Sequence, residues 1–95
     1  MITKEEAYNK IKSYLDRNIK YSSIDTISET AFTSKEEMNY PISHGRYEGK
    51  KIDYYAISYG EIWGTEERSM GVLIHAQTGE LLYIITPHDY LDIEE

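Results

Sequence analysis

The chain contains no cysteine in its 95 residues. That absence excludes disulfides, thiolate metal sites and a thiol nucleophile, and it suits a reducing compartment. Proline is confined to Pro41 and Pro87. No apolar run approaches the roughly 20 residues of a membrane span. Met1 to Glu6 lacks the basic segment followed by an apolar stretch that marks an export leader. Neither membrane insertion nor export by that route is expected, so the expected location is cytoplasmic. Positive charge is nearly missing from one region: residues 61–95 hold eight acids and only Arg68, whereas residues 1–60 hold nine acids and nine bases. The net charge of −7 therefore arises in the last third. Phosphate backbones are bound chiefly by Lys and Arg, so nucleic acid is not an expected partner and a basic protein is.

What is present describes one soluble α+β domain over residues 1–95, with 40% hydrophobic and 28% charged residues. Ten tyrosines supply much of the apolar bulk that so short a chain needs. Thr3 and Glu6 have the T-x-x-E spacing of a capping box, and Ala7, Ile11, Tyr14 and Leu15 recur at helical spacing, which predicts an amphipathic helix over 4–17. Asn18 is expected to end it in a left-handed conformation. Residues 21–33 are rich in Ile and Thr, but Ile24 and Ile27 break strict alternation, which suggests a strand with a bulge. Residues 34–50 read as a long polar connection with a short helical turn at 34–38.

Residues 51–59 predict a strand with Ile52, Tyr54 and Ala56 on one face and Tyr55, Ile57 and Tyr59 on the other. Gly60 and Gly64 bracket its end, which leaves Trp63 in a loop with Glu61, Glu66 and Glu67, either as an exposed interface anchor or as a cap on the end of the sheet core. Strands at 69–76 and 81–86 meet at Gln77-Thr78-Gly79-Glu80, where Gly79 supplies a positive φ. Both faces of this hairpin are apolar in either register, with Val72 and Ile74 opposed to Leu73, and Leu81, Tyr83 and Ile85 opposed to Leu82 and Ile84. It must be covered twice. The helix covers one face; the second falls to residues 34–50, the C-terminal segment, a second copy or a partner. Pro87 stops the last strand, and Asp89 to Glu95 reads as a short acidic tail. The sum is one N-terminal helix on a three- to four-stranded antiparallel sheet that ends in a hairpin.

No chemistry is spelled out along the chain. Gly45 to Lys51 has three residues between its glycines and Lys51 where a phosphate loop needs Ser or Thr. His44, His75 and His88 lie far apart, without the paired spacing of a metal site. Ser43-His44 has no visible orienting acid or oxyanion hole, and His75 reads as a partly exposed strand residue. Glu61, Glu66 and Glu67 read as solvated acids rather than a catalytic pair. No cofactor, metal or enzymatic activity is expected.

The helix opened by Thr3-Lys4-Glu5-Glu6-Ala7 and the hairpin Val72-Leu73-Ile74-His75-Ala76-Gln77-Thr78-Gly79-Glu80-Leu81-Leu82-Tyr83-Ile84 together resemble a PepSY-like or cystatin-like α+β unit. His75 stands where PepSY-like hairpins often carry aspartate. The architecture is also similar to immunity proteins of bacterial polymorphic-toxin systems, and that resemblance implies a cytosolic inhibitor that blocks a basic toxin such as a nuclease. Aromatic anchors and carboxylates suit such a role, which makes Glu61, Trp63, Glu66, Glu67, Asp89, Tyr90 and Asp92 the candidate partner-binding residues. A homodimeric structural or ligand-binding domain, and a phage-encoded mimic of nucleic acid, are the alternatives.

Overall fold

A computed structural model describes residues 1–93. Helix α1 spans Lys4–Asn18. Its start is capped from both sides: the Thr3 hydroxyl accepts from the Glu6 amide at 3.1 Å, and Glu6 Oε1 accepts from the Thr3 amide at 2.8 Å. These bonds hold the Glu6 carboxyl below its ordinary pKa, the backbone amide of Thr3 being the larger cause. Thr3→Ala is expected to cost about 1 kcal/mol of stability, read as a lowered urea midpoint. The C-terminus differs from expectation. Asn18 does not turn left-handed; its side chain donates to the Tyr14 carbonyl, and the chain leaves the helix through Ile19 in an extended conformation at φ −129°.

Six strands form one antiparallel sheet: β1 Ser23–Ile24, β2 Ala31–Thr33, β3 Tyr54–Trp63, β4 Glu66–His75, β5 Leu81–Ile85 and β6 Tyr90–Asp92. The order is β1-β3-β4-β5-β6, with β2 also paired to β3. The class agrees with the sequence, but three or four strands was too few. The extra strands come from short segments with weak local signals. In 21–33 the expected bulged strand is instead two short strands around a 3-10 turn at Ile27–Glu29. That turn forms because Glu29 Oε1 accepts from both the amide and the hydroxyl of Thr26, a local alternative to ladder bonding. The acidic tail also contains a strand. Thr86 and Asp89 close a tight turn, the Thr86 amide donating to the Asp89 carbonyl at 2.8 Å, and β6 then pairs with β5. Glu94 and Glu95 lie outside the described residues.

The helix covers one sheet face. Ala7, Ile11 and Leu15 are wholly buried against a floor that includes Tyr55, Ile57, Tyr59, Met70, Val72 and Ile74. Strict alternation along β5 fails. Leu73 pairs with Tyr83 but Ile74 pairs with Leu81, which leaves Leu82 as an extra residue. This bulge brings Leu81 to the same face as Ile84, and both join the helix-side core.

The second face is covered in part. Residues 42–50 fold on themselves, with Ile42 and Lys50 joined by an amide-to-carbonyl bond of 2.9 Å and Gly45 and Gly49 at φ 84° and 85°. The connection seats Ile42, with Met38, Tyr47 and Ile52, on Leu73, Tyr83, Tyr54 and Ala56. Tyr47 and Arg46 fasten it to the end of the hairpin, both donating to the Glu80 carboxylate, at 2.8 and 3.0 Å. His75, expected to be partly exposed, is buried here; its Nδ1 accepts from the Gln77 amide and its ring meets Tyr47 edge-on.

Candidate partner-binding surfaces

The seven candidate residues fall into two groups. Glu61, Trp63, Glu66 and Glu67 do not sit in a loop. Strand β3 runs through Gly60 to Trp63, β4 begins at Glu66, and Gly64-Thr65 is the connection, with Gly64 at φ 68°. Gly60 lies within the strand, paired with Ser69 and Ser23, and the neighbouring side chains fill its missing Cβ position: a Cβ there would lie 2.7 Å from Glu67 Cδ and from Ser23 Oγ. The hydroxyls of Ser22 and Ser23 both donate to Glu67 Oε2, so this carboxylate lies across the strand toward β1.

The result is a projecting arm. On the β3 side β1 reaches only as far as Gly60, and on the β4 side β5 reaches only Gly71. Residues 61–68 are therefore a two-stranded ribbon without a flanking strand among the described residues. Alternation from Tyr59 and Met70 puts Glu61, Trp63, Glu66 and Arg68 on the helix-side face and Ile62 and Glu67 on the other. Glu66 is paired with Arg68 at 2.9 Å. Ile62 and Trp63 remain 59% and 40% exposed.

Asp89, Tyr90 and Asp92 lie at the opposite edge of the sheet. Tyr90 is level with Ile85 and, through it, with Gly71. Glu66 is five residues further along β4, about 17 Å away at the usual strand rise. These three residues have internal partners. The Asp89 carboxylate accepts from the Tyr90 amide at 2.8 Å, Tyr90 stacks on the His44 ring at 5.2 Å, and His44 Nε2 donates to Asp92 Oδ1 at 2.7 Å. His44 thus acts as a brace between the connection and β6. Nothing in the local sequence around either segment signals that contact, which joins residues 48 positions apart.

The acids are dispersed, and several are already satisfied. Among the described residues no group of three or more His, Asp or Glu is placed to hold a metal ion. No helix among them is long and apolar enough to cross a membrane. Sequence reasoning missed Asp25, Glu29 and Glu37, which the fold brings to the uncovered side of the sheet. Their signal was hidden because residues 1–60 carry balanced charge overall.

These features define a class: a helix-on-sheet α+β domain with an exposed acidic arm and a half-covered second face. No family model, curated protein or solved structure matches the chain.

Proposed function

We propose that the chain is a small cytosolic inhibitory or immunity-type protein that neutralises a basic protein partner, such as a nuclease toxin, through its β3–β4 arm. The observation that supports this is the arm itself, in which Ile62 and Trp63 are left exposed beside Glu61, Glu66 and Glu67 beyond the reach of the neighbouring strands. Exposed Trp buries a large area for little lost rotamer freedom, and surrounding carboxylates speed encounter with a cationic surface and reject anionic ones. Asp89, Tyr90 and Asp92 lie on or next to β6, two strands from β4, with Tyr90 set back about 17 Å along the strand direction from Glu66, and form a second contact only for a partner broad enough to span both.

Trp63→Ala and a triple Glu61→Gln, Glu66→Gln, Glu67→Gln variant separate anchoring from steering. Tagged protein is used to capture partners from lysate of the source cells at low and high salt, and the captured protein is then studied by surface plasmon resonance. A basic protein whose affinity falls at least tenfold with Trp63→Ala, mostly through faster dissociation, is expected. The triple variant is expected to slow association and flatten its salt dependence. Unchanged rates in both variants would remove the arm from the interface.

A further inference from the structure

The connection 38–52 covers only half of the second sheet face. Beyond it Ser58 pairs with Gly71, and Gly60 with Ser69, so four small residues lie together across β3 and β4. Their side chains cannot cover the sheet. The space above them forms a groove of two neighbouring depressions, roughly 230 and 500 Å³, that share Ser58 as a lining residue. One part is walled by the segment 23–29, the other by Tyr40, Pro41 and Ile85. Tyr40 is 81% and Ile85 39% exposed, so apolar surface at this end is uncovered.

The lining is charged with one sign. Asp25, Glu29 and Glu67 line the first part and Glu37 the second, and no Lys, Arg or His is among the described lining residues. The carboxylates are held in place by hydrogen bonds, local ones for Glu29 and Glu37 and one across to β3 for Asp25. Asp25 accepts from the Ser58 amide at 2.7 Å, and Glu37 Oε1 from the amide and hydroxyl of Ser34. Glu29 is held by Thr26 in the same manner, and those bonds keep its carboxyl below the ordinary range. Fixed acceptors lose little freedom on binding, and a carboxylate with one oxygen so engaged keeps lone pairs for a further donor. A second copy of the chain is a poor occupant, because face-to-face docking would oppose the same carboxylates to one another.

We infer that the uncovered half of the second sheet face is a docking groove for a lysine- and arginine-bearing segment of a partner protein, seated over Ser58 and Gly71 with its apolar side chains against Ile85 and Tyr40. The inference rests on the reading of the chain as a binder of a basic protein, but it adds a contact beyond the arm, the two meeting at Glu67. The test uses Gly71→Phe. An added Cβ at 71 meets only Ile85 Cβ, at 3.9 Å, so the backbone accepts a side chain there, and a ring at this position would occupy the floor of the groove. Glu29→Gln combined with Glu37→Gln keeps the local acceptor oxygens while removing charge. Both variants are first checked for native circular dichroism and a wild-type urea midpoint.

A random-peptide phage library is panned against wild-type protein and each variant. Enrichment of peptides that combine Lys or Arg with apolar residues is expected. Their binding should fall at least tenfold in Gly71→Phe, weaken in the double Gln variant, and persist in Trp63→Ala. No enrichment, enrichment without basic residues, or binding unchanged by Gly71→Phe would overturn the groove. Peptide binding lost in Trp63→Ala but kept in Gly71→Phe would overturn it while leaving the arm as the interface. A concentration-dependent dimer in sedimentation that Gly71→Phe abolishes would also overturn it, since the occupant would then be a second copy.

Discussion

Truncating Ile74 to alanine is expected to lower the unfolding free energy by about 3 to 4 kcal/mol. Ile74 is fully buried in β4, flanked across the sheet by Tyr55 and Leu81 and covered by α1. Its loss removes the transfer energy of the side chain and leaves a cavity that a floor of tyrosines and β-branched residues cannot collapse into. A chain of this size holds about 5 to 14 kcal/mol in total, so the variant forfeits a large share of its stability. Ile62→Ala is the internal control. The residue type is the same and its strand is paired with β4, but the side chain is 59% exposed on the arm. A change within about 0.5 kcal/mol is expected there. Urea titrations followed by circular dichroism measure both, and equal losses would show that the arm is packed rather than projecting.

The second large effect appears on raising the pH. Tyr59 is 3% exposed, and its hydroxyl finds no hydrogen-bond partner among the described residues. Burial, with smaller contributions from Glu61 and Tyr14, pushes its pKa up to about 12. An unfolded tyrosine titrates near 10. The folded state therefore favours the protonated phenol. The corresponding stability is fully present below pH 10 and is lost as pH rises toward 12, about 1.4 kcal/mol of it by pH 11. Burial raises Tyr83 in the same direction. In Tyr59→Phe this loss is absent, and removal of an unpaired hydroxyl should add about 1 kcal/mol at neutral pH. Urea midpoints at pH 8 and pH 11 test both parts. The wild-type midpoint should fall more than that of the variant, and a variant less stable than wild type at pH 8 would mean that the hydroxyl has a partner.

The parts of the fold that were legible in the sequence are those specified within a few residues. The Thr3–Glu6 box and the spacing of Ala7, Ile11 and Leu15 write α1 locally. Gly79, at φ 75°, writes the β4–β5 turn. Apolar residues on both sides of that hairpin required two covers, and α1 and the 38–52 connection supply one and a half. The errors arose where a local signal was overridden. Gly60 reads as a strand end, but in the fold it is the site over which Glu67 lies, and the strand continues to Trp63. The β5 bulge is invisible because Leu81 to Ile85 are apolar at every position, so no pattern reveals where alternation slips.

The candidate site was legible only as residue types. The excess of acids after Glu61 is a property of composition, and the sequence by itself determined it, along with the helix and the central hairpin; that Trp63 is exposed was decided by the fold. Tertiary structure alone decided that the seven candidate residues form two surfaces instead of one, that His44 engages Asp92 and Tyr90, and that Asp25, Glu29 and Glu37 gather with Glu67 along an open groove. The physical reason is range. Caps and turns are set by bonds between residues three or four apart, whereas strand pairing brings together side chains tens of positions distant, and the charge of a surface depends on which of them meet.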